Sequence, residues 1–198
     1  MMRTESVRIV RNDGVMDWTT QLLEQLTFHW DHQVRPGLAD LTDDEYLWEP
    51  VPGMWSIRPR AAALSAMAAG GGELVADFEF PEPTPPPVTT IAWRLAHVIV
   101  GLFGERNASH FGGPPMTYQT TVWPGTAAEA LAMLDEVYAG WIAGVASLDE
   151  AKLATPVGEA EGEYGHLPYA ALVLHIHREA IHHLAEIALL RDLYRAQH

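Results

Sequence analysis

The placement of proline constrains this chain more than any other feature of its 198 residues. Eight of the 14 prolines fall between positions 50 and 87: Pro50, Pro52, Pro59, Pro81, Pro83, Pro85, Pro86 and Pro87. A Gly70-Gly71-Gly72 run lies among them. Proline lacks a backbone donor and clashes with the preceding turn, so no long helix runs through 50–90. Elsewhere apolar residues recur at helical spacing. Asp17 is placed to cap a first helix, whose stripe is Trp18, Leu22, Leu23, Leu26, Trp30 and Val34 and whose end is Pro36-Gly37. Thr42-Asp43-Asp44-Glu45 reads as a capping box that starts a short helical turn. Thr89 or Thr90 opens a second helix through about Phe111, closed by Gly112-Gly113-Pro114-Pro115. Thr126-Ala127-Ala128-Glu129 opens a third, with Leu131, Leu134, Tyr138, Trp141, Ile142 and Val145 on one face. Pro168 starts a fourth that runs to about Tyr194. Residues 54–58 and 74–78 have strand-forming side chains suited to a small β-hairpin. The expected fold is all-α: a four-helix bundle with a long Pro/Gly-rich crossover between helices 1 and 2. It forms a single domain over 1–198, with 1–15 as an N-terminal arm.

Charge narrows the partners. Twelve Lys and Arg against 26 Asp and Glu give a formal net charge of −14, which argues against a nucleic-acid surface. No apolar run approaches the ~20 residues of a membrane span, and the opening residues lack a signal-peptide core. A cytoplasmic protein acting on a small-molecule substrate is the expectation, with no nucleic acid and no membrane. The chain has ten histidines and no cysteine. That excludes disulfides, Cys-ligated metal centres and a protein thiolate, and leaves room for an imidazole-based site.

The fourth helix carries the densest chemistry. At about 100° per residue, Leu172, Ile176, Ile187, Leu190 and Tyr194 define one apolar arc with His183 near its middle. Glu179 and Glu186 lie toward its edge, His175 and His182 on the flank, and His177 points away. A carboxylate beside a core stripe is costly to desolvate unless it is paired or bound to a metal. The (i, i+4) spacing of Glu179 and His183 suits two ligands of one divalent ion. On the second helix Trp93, His97, Gly101, Gly104 and Ala108 share one side. The small residues there either leave room for a ligand or let helices approach closely. His97, Glu179 and His183 together make a three-ligand metal site with open positions. His182 is the rival ligand, and His29 is placed to line the same cavity. His32, His110, His166 and His198 read as surface or loop residues, and the acidic groups at 40–49 and 149–163 as solvated faces. Trp18, Trp30, Trp93 and Trp141 fit core stripes, whereas Trp48, Trp55 and Trp123 fit loop anchors. No dinucleotide fingerprint, phosphate loop or nucleophile elbow is present.

Three segments carry a resemblance: 47–59 (Leu-Trp-Glu-Pro-Val-Pro-Gly followed by Trp55-Ser56-Ile57-Arg58-Pro59), 90–97 (Thr-Ile-Ala-Trp-Arg-Leu-Ala-His) and 182–187 (His-His-Leu-Ala-Glu-Ile). On these the chain resembles the DinB-like superfamily, which includes metal-dependent thiol transferases and mycothiol-dependent maleylpyruvate isomerases. The resemblance implies a four-helix bundle holding a divalent metal through three histidines, one on the second helix and a His-x-x-x-His pair on the last. His97 and His183 match the first and third positions; the middle one is Glu179. A carboxylate there keeps a ligand but hardens the set. The implied cofactors are a divalent metal ion, zinc first with nickel or another ion open, and a low-molecular-weight thiol as cosubstrate, mycothiol by resemblance. The implied function is transfer of that thiol to a small electrophile, with Glu186 orienting a ligand histidine or acting as a base. Two alternatives stay open: a non-catalytic stress-response or binding protein with a structural or absent metal, and a metal-dependent hydrolase. A homodimer agrees with family habit.

Overall fold

A computed structural model describes residues 16–198, and the expected N-terminal arm lies outside them. Helix α1 starts where the Asp17 carboxylate accepts the Thr20 amide at 3.0 Å. It runs as α-helix over Trp18–His29, widens into a π turn over Trp30–Val34, and resumes over Arg35–Leu38. The expected stop at Pro36-Gly37 is thus passed. In the wide turn the Arg35 amide donates to the Trp30 carbonyl five residues back. Pro36 therefore lacks its N–H where the regular ladder is already interrupted. Trp18 also departs from expectation: it is 56% exposed, at the first residue of the helix, before the stripe reaches the core.

Helix α2 (Asp43–Tyr46) is capped as expected, the Thr42 hydroxyl accepting the Glu45 amide at 3.2 Å. The Glu45 side chain does not return to close the box. It is buried against Arg191, with Nε donating to Oε1 at 2.6 Å and Nη2 to Oε2 at 3.0 Å. Arg191 also bonds Asp40 at 3.0 Å and the Gly37 carbonyl. Acidic residues at 40–49 are therefore not all a solvated face; Glu45 clamps the last helix to α2.

Strands β1 (Ile57–Pro59) and β2 (Leu74–Ala76) pair antiparallel, with Ile57 opposite Ala76 and Pro59 opposite Leu74. Pairing is shorter than the sequence suggested because residues 54–56 stay outside the ladder, the Ser56 amide bonding the Asp77 side chain instead of a strand carbonyl. Asp77, fully buried just after β2, accepts the Ser56 and Leu64 amides at 3.0 Å each and Arg58 Nε at 2.6 Å. The Trp93 indole N–H donates to the Asp77 carbonyl at 2.7 Å, which fastens this stretch to the next helix.

Helix α3 is capped by Thr90, whose hydroxyl accepts the Trp93 amide at 3.2 Å. It comprises Ile91–Ala96, a π segment His97–Gly104, and Glu105–Phe111, and ends at Gly112 with φ +70°. Helices α4 (Ala127–Ala146, capped by Thr126), α5 (Glu150–Leu153) and α6 (Tyr169–Gln197) follow. Helices α1 and α3 each pack on both α4 and α6. Their shared core includes fully buried Leu26, Leu95, Ile99, Leu134, Trp141, Ile176 and Ile187. Each such side chain contributes roughly 2 kcal/mol of burial.

The inward face of α6 is broader than its large apolar residues suggest. Leu172, Val173, Ile176, His177, Ala180, His183, Leu184 and Ile187 are all buried. At about 100° per residue they cover an arc of about 140°, centred between Ala180 and Ile187. His183 thus stands near one edge, not the middle. His177, expected to point away, is buried at the other edge. No helix among the described residues is long and apolar enough to cross a membrane.

Candidate metal centre

Two helices meet at the site. From α3, Trp93, Arg94 and His97 reach it; from α6 come Glu179, His182, His183 and Glu186. The His97 and His183 rings meet edge to face, with centroids 4.7 Å apart and planes at 84°. Trp93 lies nearly parallel to His97 at 5.8 Å. His183 Nδ1 is 2.7 Å from Glu186 Oε2, and its Nε2 is 3.7 Å from Glu179 Oε2. With Nδ1–H donating to Glu186, the Nε2 lone pair faces Glu179 across a gap too long for a hydrogen bond. His97 Nδ1 is 2.9 Å from the Tyr118 hydroxyl.

Burial lowers the His97 imidazole to about 4, and the neighbouring His183 and Arg94 push it the same way. Burial lowers His183 as well, against the opposing pull of Glu186. Both rings are therefore neutral at pH 7, the form that offers a lone pair to a metal. Burial acts to raise Glu179, but Arg178 and His175 outweigh it and hold the carboxylate below its ordinary range. Arg94 Nε lies 3.0 Å from Glu186 Oε2, close enough to pair charges though out of line for a hydrogen bond. Its Nη1 is 3.3 Å from His183 Nδ1. Glu186 thus sits between a cation and an imidazole N–H.

The structure places the expected residues unevenly. His97 and Glu179 each approach His183. Among the described residues, the group whose ligand atoms all lie within 4.8 Å of one another is His182, His183 and Glu186, which shares only His183 with the expected set. His182 is exposed, with Nε2 at 3.5 Å from Glu186 Oε1. The two groups use opposite edges of one ring: Nε2 faces Glu179, while Nδ1 faces Glu186 and the Arg94 guanidinium. A cation on the Nδ1 edge would meet Arg94 directly. His29 lies elsewhere, lining a cavity of about 150 Å³ between α1 and α6 with Gln33, Gly37, Ala185 and Arg191.

The small residues after His97 do not open a ligand cavity. A Cβ on Gly101 would fall 2.6 Å from the Tyr118 hydroxyl and 3.0 Å from His97 Nδ1, and one on Gly104 would strike the Met116 sulfur. The 116–118 segment fills that space. Tyr118 was not singled out from the sequence because it sits in an aperiodic loop; the glycine opposite it was the visible signal. His110 is not a surface residue either. Its side chain is 2% exposed, with Nε2 2.8 Å from Glu161 Oε1. Glu161 also pairs with Arg106 at 3.3 Å, so the acidic 149–163 stretch is not wholly solvated. Arg106 Nη1 in turn donates to the Gly101 carbonyl inside the π segment.

Two neutral imidazoles and a carboxylate offer the N, N, O donor set that zinc and similar ions take. The donor chemistry of the described residues fits a divalent metal, and the group close enough to share one ion is His182, His183 and Glu186. The model of the DinB superfamily matches residues 73–187, more than half of the chain and the whole of this site. No curated protein and no solved structure matches the chain.

Proposed function

The chain belongs to the DinB superfamily, and on that premise we propose that it is a divalent-metal-dependent transferase that adds a low-molecular-weight thiol, of the mycothiol type, to a small electrophile. The observation that carries this reading is the approach of His97 and His183 from different helices, with Glu179 Oε2 facing His183 Nε2 at 3.7 Å. His97, Glu179 and His183 are the residues that would hold the ion, zinc in the first instance. When bound, such an ion supplies the Lewis acidity that brings a thiol's pKa down. In this reading the four long helical segments form the family's four-helix bundle, and 50–90 is its crossover.

The chain's own residues prepare the site. Glu186 accepts the His183 Nδ1–H hydrogen bond and so turns Nε2 inward. With Oε2 already engaged by His183 and Arg94, Glu186 is better suited to orienting the ring than to serving as a base. Trp93 shields one face of His97. The sulfur has to come from a small molecule, because the chain has no cysteine. The test is zinc stoichiometry and thiol conjugation on untagged protein. Loss of bound zinc in Glu179→Ala together with conjugation to at least one electrophile supports the reading. Unchanged zinc in that variant and no conjugation across a panel refutes it.

A second reading, a non-catalytic protein with a structural or absent metal, is favoured by one observation. Arg94 Nη1, at 3.3 Å from His183 Nδ1, already places a cation beside the candidate ligand. Melting with and without chelator separates the two: a large shift without conjugation favours a structural metal.

A further inference from the structure

Glycine inside a helix costs about 1 kcal/mol relative to alanine, so a buried one needs a reason. Gly101 lies within α3 and is buried, and its neighbours supply that reason. Any Cβ there would stand 2.6 Å from the Tyr118 hydroxyl oxygen and 3.0 Å from His97 Nδ1. The missing side chain is thus the volume through which the hydroxyl reaches the imidazole, at 2.9 Å. Tyr118 itself is firmly seated. The Thr117 carbonyl accepts the Thr121 amide at 3.0 Å and the Thr121 hydroxyl at 2.7 Å, closing a turn around it. Its ring packs on Trp123, 5.8 Å away, and the Trp123 N–H is anchored to the Ala69 carbonyl at 2.6 Å.

We propose that Tyr118 is a positioning residue that fixes His97 in its Nδ1–H form, so that Nε2 is the nitrogen offered to the site. The Nδ1–H donates to the phenol oxygen, and Gly101 keeps the path between them clear. An imidazole free of this contact can place its proton on either nitrogen and can flip about its terminal torsion. With Nδ1 occupied, His97 and His183 are matched: one is held at Nδ1 by a phenol and the other by a carboxylate. The consequence for metal affinity rests on the metal-site reading above; the protonation of the ring does not.

The test begins with the metal-free protein. Long-range proton–nitrogen spectra of the histidine rings are expected to show His97 protonated on Nδ1 in the wild type and redistributed toward Nε2 in Tyr118→Phe. Zinc affinity, read by competition with a chromophoric chelator, is expected to fall about 10- to 100-fold in Tyr118→Phe, the range for loss of a ligand's hydrogen-bond partner. Gly101→Ala alone is expected to lower both melting temperature and zinc affinity. Gly101→Ala with Tyr118→Phe is expected to regain part of the melting temperature, because the phenol oxygen no longer meets the new methyl although His97 Nδ1 still does, but not the affinity. Wild-type His97 protonated on Nε2, or Tyr118→Phe with unchanged protonation and unchanged affinity, overturns the proposal. Wild-type protein that binds no zinc refutes the metal reading, and the spectra still decide the role of Tyr118.

Discussion

Acid will destabilise this fold through His177, a residue with no part in the candidate metal centre. The side chain is buried at 4% exposure beside Trp141, and its Nε2 has no hydrogen-bond partner among the described residues. Burial lowers its pKa from 6.5 to about 4, offset only in part by a backbone hydrogen bond to Leu22. In the unfolded chain the ring takes a proton near pH 6.5, well before the native state does. Its contribution is therefore fully present above pH 6.5 and is lost as pH falls toward 4. At about 1.4 kcal/mol per unit the loss reaches about 3 kcal/mol, with about 2 kcal/mol of it gone by pH 5. Other groups titrate in the same range, so the measurement is a difference. Urea unfolding of wild type and His177→Leu, followed by tryptophan fluorescence at pH 7, 6 and 5, isolates this ring. The leucine variant, similar in volume and free of the orphaned nitrogen, should match or exceed wild type at pH 7 and lose about 2 kcal/mol less by pH 5. Parallel pH profiles for the two proteins would refute the reasoning.

Other perturbations have equally definite outcomes. Arg191→Met strands Glu45 in the core and should cost about 3–5 kcal/mol by denaturant titration, most of it recovered when Glu45→Leu is added. Asp77→Ala leaves two amides and Arg58 Nε without their acceptor. It should cost about 3 kcal/mol and red-shift the tryptophan emission as the stretch around Trp55 loosens. His183→Ala should lower zinc affinity by at least about a hundredfold, whereas His182→Ala should stay within about twofold of wild type. A large loss in His182→Ala would move the ion to the His182, His183 and Glu186 edge of the ring.

Much of the architecture was legible because it rests on local chemistry. Asp17, Thr42, Thr90 and Thr126 each accept the amide their spacing implied, and the helices begin where those caps stand. The antiparallel pairing inside 50–90 was also readable from its β-branched residues. What escaped were contacts made across the chain. Glu45 and Glu161 look like solvent-facing acids until Arg191, Arg106 and His110 are brought beside them from distant helices. On α6, small Ala180 gave no hydrophobic weight, so the arc drawn through the large residues was rotated away from His177. Of the candidate site, helical spacing marked His97, Glu179, His183 and Glu186, which the structure brings near one another. Tyr118 was not, because a loop residue carries no period to mark where it points.

The wide turn between His97 and Gly104 gives one continuous backbone two phases. The Glu105 amide reaches back five residues to Val100, so every residue after it is rotated relative to a regular helix. Before the turn, Trp93, Arg94 and His97 look toward α6. After it, Asn107 bonds the Val137 carbonyl of α4 and His110 bonds Glu161. The helix therefore works as two modules on a shared axle. A change of one residue in the length of the wide turn would alter how the second half docks while leaving the first half aimed at His183.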